Sequence, residues 1–162
     1  MYLNLERLAN PMRIVYTLRD ELKAKPEYVA QVQAMTLNLE KPFLGLRGTH
    51  GLFGSDAWWE SIRVGRIKMK VIAGEITEMF FAGQDSRWAA QVNSFRLKQT
   101  DGSTVEESIY AGRKSDRRLF VVGATVSTAY VMDELKRPDR DGATSYSKSV
   151  LEMAVSPPPR AR

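Results

Sequence analysis

From Arg66 onward the residues are β-like, and turn signals cut them into short runs. Arg66–Ala73 and Glu75–Ala82 flank Gly74 and read as a hairpin. Trp88–Gln99 and Ser103–Tyr110 flank Asp101-Gly102, a dipeptide suited to tight turns because it accepts positive φ. Leu119–Leu135 is a long run rich in Val and Thr, with a bend expected at Gly123. Its end, Ala129–Lys136, is also compatible with a helix. Arg137–Thr144 is a turn-rich loop, and Tyr146–Val155 a last strand. Three hairpin-like units in succession predict an antiparallel sheet of about six strands, either a β-barrel or a strongly curved sheet.

The front of the chain reads differently. Asn10-Pro11 is a good helix start, and Ile14, Val15, Leu18 and Leu22 follow with helical spacing. A helix is expected over 11–24, ended by Lys25-Pro26. Glu27–Leu39 is ambiguous: Tyr28, Val29, Val32 and Met35 fit a helix face, whereas Met35, Leu37 and Leu39 alternate as in a strand. The expected fold class is therefore α+β, one domain over residues 1–155. It comprises a helical front (1–44), a glycine-rich joint with a short tryptophan helix (45–65) and the antiparallel barrel (66–155). A flexible tail, 156–162, follows. With 162 residues such a domain can bury a core without covalent staples.

The joint is the most unusual stretch. Gly45, Gly48, Gly51 and Gly54 stand three residues apart around His50, the only histidine. Ser55-Asp56 then offers an N-cap for a short helix, Ala57–Arg63, ended by Val64-Gly65. The stretch lacks the Gly-Lys-Ser/Thr ending of a phosphate-binding loop, and a carboxylate at the cap competes with phosphate for the same amides. A structural joint is the main reading. Adjacent helix residues point about 100° apart, so one of Trp58 and Trp59 is expected in the core and the other exposed.

With no cysteine, disulfides, thiolate metal sites and a cysteine nucleophile are excluded. The N-terminus carries Glu6 and Arg7 where a signal peptide needs an apolar core, so a cytoplasmic location is expected. No serine-hydrolase elbow or paired-histidine motif is present, no cofactor or metal is implied, and an enzyme is the less favoured reading. Function is expected to be that of a non-catalytic binding or interaction module, for a small polar or anionic ligand or a protein partner. Candidate ligand-binding residues are His50, Trp58, Trp59, Gln84, Asp85, Arg87 and Trp88.

The formal charge is +5 and the isoelectric point about 9.6, which favours anionic partners. Arg66, Lys68 and Lys70 alternate along a run, so as a strand they share one face, with Ile67, Met69 and Val71 on the other. A turn at Gly74 would set Arg66 opposite Phe81. This stripe, with Arg113, Lys114, Arg117 and Arg118, supports an alternative reading as a single-stranded nucleic-acid binder. An enzyme with a site at a barrel mouth is a third reading. An unpaired sheet edge would also allow self-association.

Overall fold

The computed structural model describes residues 2, 3, 5, 11–83 and 92–158. Its elements run β1 (Arg13–Thr17), α1 (Leu18–Ala24), α2 (Pro26–Leu37), α3 (Asp56–Arg63), β2 (Lys68–Phe80), β3 (Ser94–Gln99), β4 (Thr104–Ser108), a 3-10 helix (Lys114–Leu119), β5 (Thr125–Glu134) and β6 (Tyr146–Ser156). The fold is α+β: short helices near the front, and one six-stranded sheet in the order β1-β6-β5-β2-β3-β4. β1 and β4 are its edges, and strand pairing does not close it into a barrel.

The sheet reaches six strands by a different route from the one expected. Residues 68–80 form one strand, with no hairpin at Gly74. Gly74 serves close approach instead: a Cβ there would lie 2.3 Å from the Lys98 carbonyl oxygen on β3. The sixth strand comes from the front. The helix expected over 11–24 begins only at Leu18, and β1 pairs antiparallel with β6, Arg13 opposite Val155. Ile14, Val15, Tyr16 and Thr17 are β-branched or aromatic, so a sheet edge suits them better than a helix. Asn10, the expected cap, lies outside the described residues.

The β3–β4 hairpin corrects a register. A two-residue turn would put Leu97 opposite Glu106, mixing the faces. In the structure the Gly102 amide donates to the Gln99 carbonyl at 2.9 Å, Gly102 has φ +87°, and Leu97 pairs with Val105. The loop is therefore one residue longer than expected, a turn closed by a left-handed glycine. This shift sorts the faces: Phe95 and Leu97 are buried. Arg96 faces outward and ion-pairs with both Glu78 and Glu106. β5 starts just after Gly123 and stays extended to Glu134, so the helical alternative for 129–136 is not adopted.

The chain forms two compact units. The first comprises residues 1–17, 71–129 and 151–162. Ile76, Phe95, Leu97, Val126 and Met153 are among its fully buried residues. The β1 edge is met by the segment after β4, where the Gly112 amide donates to the Val15 carbonyl at 2.8 Å and Tyr110 meets Tyr16 edge-on. The second unit comprises residues 18–70 and 130–150. Its buried residues include Leu18, Leu22, Phe53, Trp58, Ile62, Tyr130 and Val131.

α2 is helical through Leu37, so the helix reading of Glu27–Leu39 holds to that point and the strand alternation of Met35, Leu37 and Leu39 is not adopted. Pro26 at its first turn needs no amide partner, and Ala30, Gln31, Gln33 and Ala34 are good helix formers. Yet α2 buries none of its residues fully.

Candidate functional site

The glycine stretch lies in the second unit and is stitched to the end of β5. The Lys136 amide donates to the Gly45 carbonyl at 3.0 Å, the Arg47 amide to the Glu134 carbonyl at 2.9 Å, and Leu46 bridges to Leu135. Gly51, at φ +112°, lets the loop pass under α3: a Cβ there would stand 2.8 Å from the Trp58 nitrogen. Ser55 then caps α3 as expected, its hydroxyl accepting from the Trp58 amide at 3.2 Å.

Two carboxylates close the bracket. The Trp58 indole donates to Asp133 Oδ2 at 2.9 Å, with both residues buried. Burial pushes the Asp133 carboxyl above the usual aspartate range; the indole bond and the Glu134 amide oppose that shift without cancelling it. Glu134 accepts from the Thr49 hydroxyl at 2.8 Å, and lies 3.6 Å from Arg47 Nη1 and 3.8 Å from His50 Nε2. The Ser61 hydroxyl in turn donates to the His50 carbonyl at 2.8 Å. Beside this cluster is a slot of about 40 Å³, lined among others by His50, Arg66, Lys68, Met132 and Tyr146. That is room for a water or one small polar group. Among the described residues no cluster of three or more His, Asp or Glu could hold a metal ion.

The sequence-predicted residues fall in different surroundings. Trp58 has no accessible surface, and its polar atom is already engaged. Trp59 is half-buried, with the Arg19 guanidinium 4.2 Å from its ring centroid. His50 is half-buried beside Glu134. Gln84, Asp85, Arg87 and Trp88 lie outside the described residues. Arg66, Lys68 and Lys70 are exposed. The pairing of Arg66 with Phe81 does not occur, because β2 never folds back on itself. Of the residues placed on the opposite face, Ile67 is buried but Met69 and Val71 are exposed. Phe81 is half-buried in the first unit, where Arg113, Lys114, Arg117 and Arg118 are exposed around the 3-10 helix.

One surface feature of the second unit was not anticipated. From α2 into the following turn, Tyr28, Leu37, Leu39, Phe43 and Leu44 are all exposed, Leu39 at 92%. In the sequence Tyr28 fits a helix face and Leu37 and Leu39 a strand alternation, and neither pattern marks an exposed surface. The available signal was density: Leu37, Leu39, Phe43 and Leu44 crowd around Pro42, where no regular element continues. The turn is held firmly. Lys136 Nζ donates to the carbonyls of Met35, Asn38 and Lys41 at 2.6, 3.3 and 3.0 Å. Gly45 and Gly48 lie against α2, where added Cβ atoms would come within 2.7 Å of the Met35 and Thr36 side chains. The glycine stretch is thus a bracket that presents an apolar crest. Exposed apolar side chains close together in the chain, on a braced turn, suit a protein interface.

No helix among the described residues is long and apolar enough to cross a membrane. No curated protein matches the chain. A family model described as Immunity protein RhsI2 matches residues 12–156, nearly the whole of the 162-residue chain. The chain therefore belongs to the RhsI2 immunity protein family, and is a small protein-binding module.

Proposed function

We propose that this chain neutralises a cognate protein toxin by binding it directly, and that the crest from α2 to Leu44 is the main contact. The match to an immunity protein family over residues 12–156 carries the reading. The crest supports its location. Each fully buried Leu or Phe is worth roughly 1.5–3 kcal/mol, so covering Leu37, Leu39, Phe43 and Leu44 supplies an apolar interface core. Because Lys136 and the glycine bracket already order the turn, little conformational entropy is lost on docking. On this reading the chain performs no chemistry on its partner. It acts in the cytoplasm, the location expected in the sequence analysis.

The test is protection. Cells producing a candidate cognate toxin domain should grow when the chain is co-produced, and the two proteins should co-elute as a complex. Continued killing with the chain present at equal level, and no complex, would remove the reading.

A further inference from the structure

The basic charge of the second unit is not spread evenly over its duties. Lys25 is paired with Glu21, Arg63 with Glu60 and Arg47 with Glu134. Arg19 covers Trp59, and Lys136 caps the end of α2. Arg66, Lys68 and Lys70 have no such role: all three are exposed and form no ion pair among the described residues. Glu60, the acid whose charge Arg66 feels, is already held by Arg63.

These cations stand beside a surface suited to contact. β5 lies between β2 and β6 in the sheet. Arg66 and Lys68 share the slot with Met132 of β5 and Tyr146 of β6. Tyr146 is 41% exposed. Lys148 Nζ sits 4.2 Å from the Tyr130 ring centroid, so a fourth exposed cation is held on this side of β6. The acids lining the slot are engaged: Asp133 with Trp58, and Glu134 with Thr49, Arg47 and His50. The result is a positive face with an aromatic and a methionine in it, and the carboxylates lining its slot are already engaged.

We propose that Arg66, Lys68 and Lys70, with Tyr146 beside them, receive an acidic surface of the protein partner and steer its approach. This rests on the toxin-binding reading above and adds the partner's charge to it. The occupant is a cluster of Asp or Glu side chains on a folded protein. Steering of this kind acts on the association rate, weakens with salt, and leaves dissociation governed by the apolar contact.

The experiment measures association and dissociation rates with the inactivated toxin domain at low and high salt. It compares the wild type, R66E/K68E/K70E, and R113E/K114E/R118E, which changes net charge equally in the other unit. The β2 triple variant should associate at least about tenfold more slowly at low salt and lose most of the salt dependence. The control should stay within about twofold of wild type, since it leaves the β2 stripe intact. Circular dichroism and melting establish that both variants fold. Equal rates for the two triple variants would overturn the proposal while leaving toxin binding intact. Absence of any wild-type complex would instead overturn the toxin reading, and this proposal with it. A labelled single-stranded oligonucleotide forms the third arm: binding lost in R66E/K68E/K70E, with toxin association unchanged, would assign the face to nucleic acid and overturn the proposal.

Discussion

The indole nitrogen of Trp58 donates to Asp133 Oδ2 across 2.9 Å, and both residues are buried. One bond thus joins α3 to the end of β5, on the strand that also carries Glu134. Trp58→Phe keeps most of the ring contacts but leaves a buried carboxyl oxygen without its donor. The expected cost is about 1–3 kcal/mol, read as a shift in urea midpoint with unchanged slope.

The same pair sets a pH dependence. Because burial raises the Asp133 pKa, the folded state binds this proton more tightly than the unfolded chain. Its contribution is therefore full below the ordinary aspartate range, about 3.9, and is lost as pH rises through the raised value. Asp133→Asn should flatten that part of the stability curve. Trp58→Phe should extend it upward, since the indole bond opposes the shift. Identical curves for wild type and Asp133→Asn would show that Asp133 does not titrate in this way.

Gly51 and Gly65 separate two uses of glycine. Both have positive φ, +112° and +83°. A side chain at Gly65 meets nothing within 4 Å, whereas one at Gly51 meets the Trp58 backbone at 2.8 Å. Gly65→Ala should cost about 1–2 kcal/mol from backbone strain alone. Gly51→Ala should cost about 1–3 kcal/mol more, because α3 must move. Equal thermal shifts for the two would contradict the close approach.

Lys136 links the bracket to the crest. Lys136→Met removes three hydrogen bonds to the carbonyls of Met35, Asn38 and Lys41. A stability loss of about 1 kcal/mol is expected, because the ammonium is only half-buried and water replaces it in part. Hydrogen exchange should quicken at the end of α2 and in the turn after it, with little change in β5. Toxin affinity should fall several-fold although Lys136 need not touch the partner, because the turn is no longer ordered in advance.

The sequence was most legible where local chemistry decides structure. The Ser55 cap, the Gly65 stop and the β6 run depend on neighbours within a few residues. It was least legible where distant backbone decides. Gly74 has the appearance of a turn residue in a strand-rich sequence, and only the Lys98 carbonyl shows why it is glycine. Ile14 and Val15 keep helical spacing with Leu18, and it is the β6 edge that draws them into a strand. Leu37, Leu39 and Phe43 count as core by composition, but no element covers them. Asp133 lies in a run read for its Val and Thr content, so its bond to a tryptophan 75 positions away leaves no local mark. The stripe at Arg66, Lys68 and Lys70 was visible as alternation, whereas Tyr146 beside it required the strand order.

The central claim is that the crest binds a protein toxin. The most direct measurement is calorimetric titration of the inactivated toxin domain into the wild type and into L37S/L39S/F43S. These side chains are 64%, 92% and 57% exposed, so the variant should fold and melt like the wild type. The account predicts a tight wild-type complex and a loss of at least about 100-fold in the variant, since truncating central apolar anchors costs about 2 kcal/mol or more each. Equal affinity for a well-folded variant would move the interface off the crest. Lack of any wild-type complex would contradict the account as a whole.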